Sequence, residues 1–133
     1  MRPLFADTFY FLALLNPHDS AHAKAVVLSQ TRREPLLTTP WVITELADAL
    51  SDPQRRAQCG RFVESLRTNP RVQIPLPTKE IFDAGWGLYL SRPDQPWSLT
   101  DCISFALMRK RGIKDALTGD HHFEQAGFRA LLK

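Results

Sequence analysis

A chain of 133 residues, 44% hydrophobic and 23% charged, has room for one domain and the means to bury a core. Its 17 basic and 14 acidic residues leave a net charge of +3, which fits a nucleic-acid partner without establishing one. No segment approaches the ~20 apolar residues that cross a bilayer. The apolar run Leu4–Leu15 is broken by Asp7 and has no small-residue cleavage site, so it reads as core and the expected location is the cytoplasm.

In chain order, Pro3–Asp7 reads as a strand and Thr8–Leu15 as a helix closed by Asn16-Pro17. Ser20–Arg33 is helical, with Ala21, Ala25 and Leu28 on one face and Val26 and Val27 widening it. Pro35–Thr38 is a second strand. Thr39 caps the next helix with Pro40 at its first position, where a missing N–H costs nothing. That helix runs to about Leu50, and another covers Pro53 to Thr68. Arg71–Pro75 is a third strand. Thr78–Ser91 is a helix with Ile81, Ala84, Leu88 and Tyr89 inward, weakened by Gly85 and Gly87. After a Pro-rich loop, Ser98–Arg111 is a strong helix stopped by Gly112, and Asp115–Thr118 is a fourth strand. A short helix begins near Asp120 and ends at Gly127, and Phe128–Leu131 is an edge strand. Strands alternating with helices predict a three-layer α/β/α sandwich around a parallel sheet of four to five strands. Cys59 and Cys102 match no zinc or CxxC spacing and read as buried, reduced thiols.

Four carboxylates stand out because ligands of open α/β sheets bind beyond the carboxyl ends of the strands. Asp7 and Asp120 end strands, Asp101 lies in the first turn of a helix, and Glu45 lies within two turns of another helix start. Each aspartate has a plain alternative as a helix cap, Asp101 through a capping box with Ser98. Glu45, on a stripe with Trp41, Val42 and Ala49, lacks that alternative and is either at the margin of the core or buried with a partner. Two carboxylates ~4 Å apart repel by about 4 kcal/mol at an effective dielectric of ~20. A cluster of them must protonate, recruit bases or bind a cation, and oxygen ligands favour Mg²⁺ or Mn²⁺. His18 and His22, at i, i+4, read as exposed residues after a turn. His121 and His122 read as surface residues, with contact to substrate phosphate as the alternative. Arg32-Arg33, Arg55-Arg56 and Arg109-Lys110-Arg111 are either helix ends or contacts for a nucleic-acid backbone. Ser98 and Ser104 have no paired base, and no GxGxxG or P-loop motif is present.

The segments Leu4-Phe5-Ala6-Asp7-Thr8, Ile43-Thr44-Glu45-Leu46, Ser98-Leu99-Thr100-Asp101 with Ala106, and Ala116-Leu117-Thr118-Gly119-Asp120 with Phe123 resemble the successive motifs of PIN domains. The resemblance spans Leu4 to Phe128 and departs at Phe9, where Ser or Asn is frequent. It implies a VapC-type toxin: a Mg²⁺- or Mn²⁺-dependent endoribonuclease, dimeric and silenced by an antitoxin. It also implies that Asp7, Glu45, Asp101 and Asp120 are catalytic and metal-binding, with Thr8, Thr100 and Thr118 orienting ligands or water. Phe9 and Phe11 are candidates for a homodimer or antitoxin surface, with at least one of them in the core. The rival readings are a non-catalytic PIN-like binding module for nucleic acid or protein, and a phosphatase-like domain. The latter wants a second Asp where Phe9 stands.

Overall fold

Leu4–Ala6, three consecutive buried apolar residues, form β1, the central strand. In the computed structural model, which describes residues 1–133, it pairs in parallel with β2 (Leu36–Leu37) and β4 (Asp115–Leu117). Beyond these lie β3 (Val72–Gln73) and β5 (Arg129–Ala130), giving a five-stranded parallel sheet of order β3-β2-β1-β4-β5. The register sets Phe5 against Leu37 and Ala116, and Ala6 against Leu117. The helices are α1 (Thr8–Leu15), α2 (His22–Thr31), α3 (Pro40–Ala49), α4 (Arg56–Thr68), α5 (Lys79–Ser91), α6 (Leu99–Arg111) and α7 (His121–Gln125). From β1 the chain first steps to β2 and β3, then returns to build β4 and β5 on the other side. Right-handed crossovers in opposite directions put helices on both faces, the expected three layers. They also open a crevice beyond the carboxyl ends of β1 and β4, where the strand order reverses.

Expected elements are all present, the first helix with its expected bounds and most of the others shortened at an end. Pro35, just before β2, and Pro75, just beyond β3, lack the N–H that would extend the ladder there. Asp19 Oδ1 accepts the Ala21 N–H at 2.8 Å, a turn that delays α2 to His22. Asp52 Oδ1 likewise accepts the Arg55 N–H at 3.2 Å and delays α4 to Arg56. Thr39 caps α3 by accepting the Val42 N–H at 3.1 Å, with Pro40 at the first position as expected. Gly112, at φ 66°, stops α6 in the left-handed conformation. No helix is long and apolar enough to cross a membrane.

The core runs through Phe5, Phe11, Leu37, Leu46, Phe105, Met108 and Phe123, all with no exposed surface. Phe105 stands edge-on to Phe123 with ring centres 4.9 Å apart and to Trp97 at 5.1 Å, which fixes the loop entering α6. Both cysteines are buried and unbridged. Two expected helix faces are corrected. In α2, Val27 is exposed while Ala25 is buried. In α5, Ala84 and Tyr89 face outward, and the buried residue is Gly85. The cause is steric: a β-carbon at Gly85 would collide with Ile103 of α6, so α5 and α6 approach through a position without a side chain. Gly87, by contrast, has open space around its missing β-carbon.

Two neighbouring substitutions should therefore have opposite signs. Gly85→Ala is expected to lower stability by about 1–3 kcal/mol through overpacking. Gly87→Ala should raise it by roughly 0.5–1 kcal/mol through helix propensity. Urea denaturation of both variants checks this; stabilisation by Gly85→Ala would contradict the α5–α6 contact.

Candidate active site

Asp7 follows β1 directly and is the residue before α1, yet its side chain makes no capping hydrogen bond. It is 5% exposed. Its Oδ2 instead accepts the hydroxyl of Thr118, the residue after β4, at 2.8 Å. The same Thr118 oxygen accepts the Asp120 N–H at 3.1 Å, so one buried hydroxyl ties the ends of two adjacent strands together. Asp120 caps α7, its Oδ1 accepting the His122 N–H at 2.9 Å. Asp101 completes the expected capping box: Ser98 Oγ accepts the Asp101 N–H at 3.0 Å, and Asp101 Oδ2 accepts the Ser98 N–H at 3.2 Å. Asp101 Oδ2 also lies 3.0 Å from His122 Nδ1. The scaffold bonds thus engage Oδ2 of Asp7, Oδ2 of Asp101 and Oδ1 of Asp120, one oxygen of each carboxylate.

All four predicted acids line one cleft of about 370 Å³, together with Thr8, Phe9, Leu12, Pro96, Ser98 and His122. Glu45 is exposed and reaches the cleft from α3, at the margin of the core and not within it. The apolar stripe of α3 is Val42 and Leu46, and Ala49 is outside it. The carboxylates share the cleft without closing on one point; the donor set whose ligand atoms lie within 4.8 Å of one another is Asp120, His121 and His122.

Burial dominates the electrostatics. It pushes the Asp7 carboxyl up to about 7, aided by the negative charges of Asp101 and Glu45 and opposed by the Thr118 hydrogen bond. Burial also raises Asp101, with Asp120 adding to the rise and His122 resisting it. Thr8 Oγ1 is buried beside Asp7 with no hydrogen-bond partner. An acid that resists ionising, among other acids and next to an unpartnered hydroxyl oxygen, is the environment a hard divalent cation would satisfy.

Of the other predicted positions, Thr100 is half-buried in the first turn of α6 and outside the cleft lining. His18 is exposed, and His22 Nδ1 lies 2.7 Å from the Ala13 carbonyl, so His22 alone braces the α1–α2 connection and the two form no shared site. His121 is exposed as expected, but His122 is not a surface residue: its side chain is 20% exposed, between Asp101 and Asp120. The residue types in Asp120-x-His122 carried that signal, since a capping residue and the second residue of the helix it caps lie together. Phe11 is buried, whereas Phe9 borders the cleft with its ring against Gly119. No basic cluster lines the cleft. Arg109, Lys110 and Arg111 occupy the last turn of α6, the end opposite Asp101. Arg32 pairs with Glu34 and Arg55 with Asp52.

Against this geometry, a family model described as the PIN domain matches residues 4–129. The chain belongs to the PIN-domain family. This PIN domain is 28% identical over 129 residues to the 23S rRNA-specific endonuclease VapC20 of Mycobacterium tuberculosis, covering 94% of this chain and 95% of that protein. The crystal structure of Mycobacterium tuberculosis VapC20, a sarcin-ricin loop cleaving toxin, superposes with a TM-score of 0.85 at 27% identity over 94% of this chain and 95% of that one. VapBC2 from Rickettsia felis, bound to a DNA fragment from its promoter, gives 0.66 at 12% identity over 96% and 95% of the two chains. FitAcB from Neisseria gonorrhoeae gives 0.64 at 14% over the same shares. These last two share the fold. The PIN domain described here is homologous to the VapC toxin endoribonucleases.

Because the folded state raises Asp7 from 3.8 to about 7, the native chain binds that proton more tightly than the unfolded one. Stability without metal is then greatest below pH ~4 as far as Asp7 is concerned, and is lost as pH rises towards ~7, by on the order of 4 kcal/mol. Thermal melts in EDTA at pH 5 and pH 7.5 should show the loss, and Asp7→Asn should remove most of it. An equal loss in the variant would contradict the buried-acid account.

Proposed function

We propose that this PIN domain is a Mg²⁺- or Mn²⁺-dependent endoribonuclease, the toxin of a toxin–antitoxin pair. The observation that carries the reading is the convergence of Asp7, Glu45, Asp101 and Asp120, from four separate parts of the chain, on one cleft. Asp7, Asp101 and Asp120 would hold the cation through the oxygens that the scaffold leaves free, with Glu45 entering from the open side. Mg²⁺ and Mn²⁺ fit a donor set that shares a cleft without touching, because such ions keep several waters as ligands. When bound, the ion supplies a more acidic water and charge stabilisation at the phosphate.

The chain's own residues set the geometry. Thr118 fixes the Asp7 carboxylate by hydrogen bond, and Ser98 and His122 do the same for Asp101. Phe9, Leu12 and Pro96 give the cleft wall beside the acids its apolar surface. Hydrolysis by in-line attack of water leaves a 5′-phosphate and a 3′-hydroxyl. The likeness to VapC20 makes the sarcin-ricin loop of 23S rRNA the first RNA to try. The VapBC2 and FitAcB assemblies support a partner antitoxin for this chain, and a homodimer is the assembly we propose for it.

Asp7→Asn and Asp101→Asn are each expected to reduce Mn²⁺-dependent RNA cleavage by ~100-fold or more with the circular dichroism spectrum preserved. Thr118→Val, which keeps every carboxylate, should lose roughly 10–100-fold. Cleavage that persists in excess EDTA, or full activity of Asp101→Asn, would overturn the mechanism.

A further inference from the structure

The tightest set of metal-ligating atoms is not composed of carboxylates alone. Asp120 Oδ1 lies 3.6 Å from His121 Nδ1 and 3.5 Å from His122 Nδ1, and the three residues offer ligand atoms mutually within 4.8 Å. Ligands held about 2.1 Å from one ion are about 3.0 Å apart at right angles and about 3.4 Å apart at the tetrahedral angle. The two Asp120–His separations are within a few tenths of an ångström of that range. Asp101 Oδ2, 3.0 Å from His122 Nδ1, stands where an adjacent fourth ligand would be. The two imidazoles lie side by side with ring centres 4.5 Å apart. His121 is 62% exposed at its side chain, so the position is reached directly from solvent and its ring is free to turn.

We propose that Asp120, His121 and His122 form a position for a borderline transition metal, Zn²⁺, chemically distinct from an all-oxygen Mg²⁺ or Mn²⁺ site. Two imidazoles and one carboxylate are a poor match for Mg²⁺, which demands oxygen, and a good one for ions that accept nitrogen. Asp120 is shared with the proposed nuclease centre, and its two oxygens let one carboxylate face both positions. His122, in the tautomer with its proton on Nε2, turns the Nδ1 lone pair to the ion in place of its contact with Asp101. The three donors leave open coordination positions for water or a phosphate oxygen. The inference needs only the ligand geometry and does not depend on RNA being the substrate.

The test uses tag-free, full-length protein and the metals alone. Calorimetric titration should give one Zn²⁺ equivalent bound at least about 100-fold more tightly than Mg²⁺. Pulsed electron paramagnetic resonance of Co²⁺, bound as a paramagnetic surrogate for Zn²⁺, should show coupling to imidazole nitrogen. His121→Asn, at an exposed position that leaves folding alone, should weaken Zn²⁺ about tenfold or more and reduce the nitrogen coupling. The double variant His121→Asn/His122→Asn should abolish the coupling. Asp7→Asn should keep the nitrogen coupling while losing RNA cleavage, so failure of the nuclease reading and failure of this one give different results. Absence of nitrogen coupling in the unmodified protein, equal affinity for Zn²⁺ and Mg²⁺, or Zn²⁺ affinity unchanged by His121→Asn would each overturn the proposal.

Discussion

Asp7 is a carboxyl group buried at the end of the central strand, and its only hydrogen-bonding side-chain partner is a neutral hydroxyl, that of Thr118. Removal from water with no basic residue alongside is unfavourable for the ionised form, which is why the group holds its proton up to about 7. A chain maintaining that arrangement gives up stability near neutral pH unless something positive enters the cleft. Every other feature of the site follows from satisfying or exploiting this buried acid.

The sheet topology supplies the neighbours. Reversal of strand order at β1 sets the end of β4 beside Asp7, and Thr118 from that end supplies the hydroxyl. The N-terminus of α6 contributes Asp101, where a capping box fixes the carboxylate. Positive partial charge at a helix start favours an anion there, so the same interactions that start α6 also hold an acid at the cleft. Capping a helix and setting an acid at the cleft are therefore one arrangement for Asp101 and Asp120. Asp7 differs: it holds the capping position without a side-chain cap, and its carboxylate turns to the neighbouring strand end.

The alternation of strands and helices, the Thr39-Pro40 start of α3, the Ser98 capping box and the Gly112 stop were legible because each depends on residues a few positions apart. The faces of α5 were not. Gly85 lowers helix propensity, but its role is to let Ile103 approach, a contact between residues eighteen apart that periodicity does not encode. Motif order located the four acids, while local pattern left Glu45 open between the margin of the core and a buried position, because its exposure depends on where α3 sits relative to the cleft. His122 read as a surface residue for the same reason: its neighbour Asp101 is twenty-one residues away and meets it through the packing of α6 against α7.

The account stands on Asp7 being a cation ligand and not a protonated core acid. Anomalous diffraction from crystals equilibrated with Mn²⁺ near pH 7.5 tests that most directly. An ion in the cleft with an Asp7 carboxylate oxygen about 2.1 Å away is the expected result. An ion that leaves Asp7 uncoordinated, its carboxyl still paired only with Thr118, would contradict it.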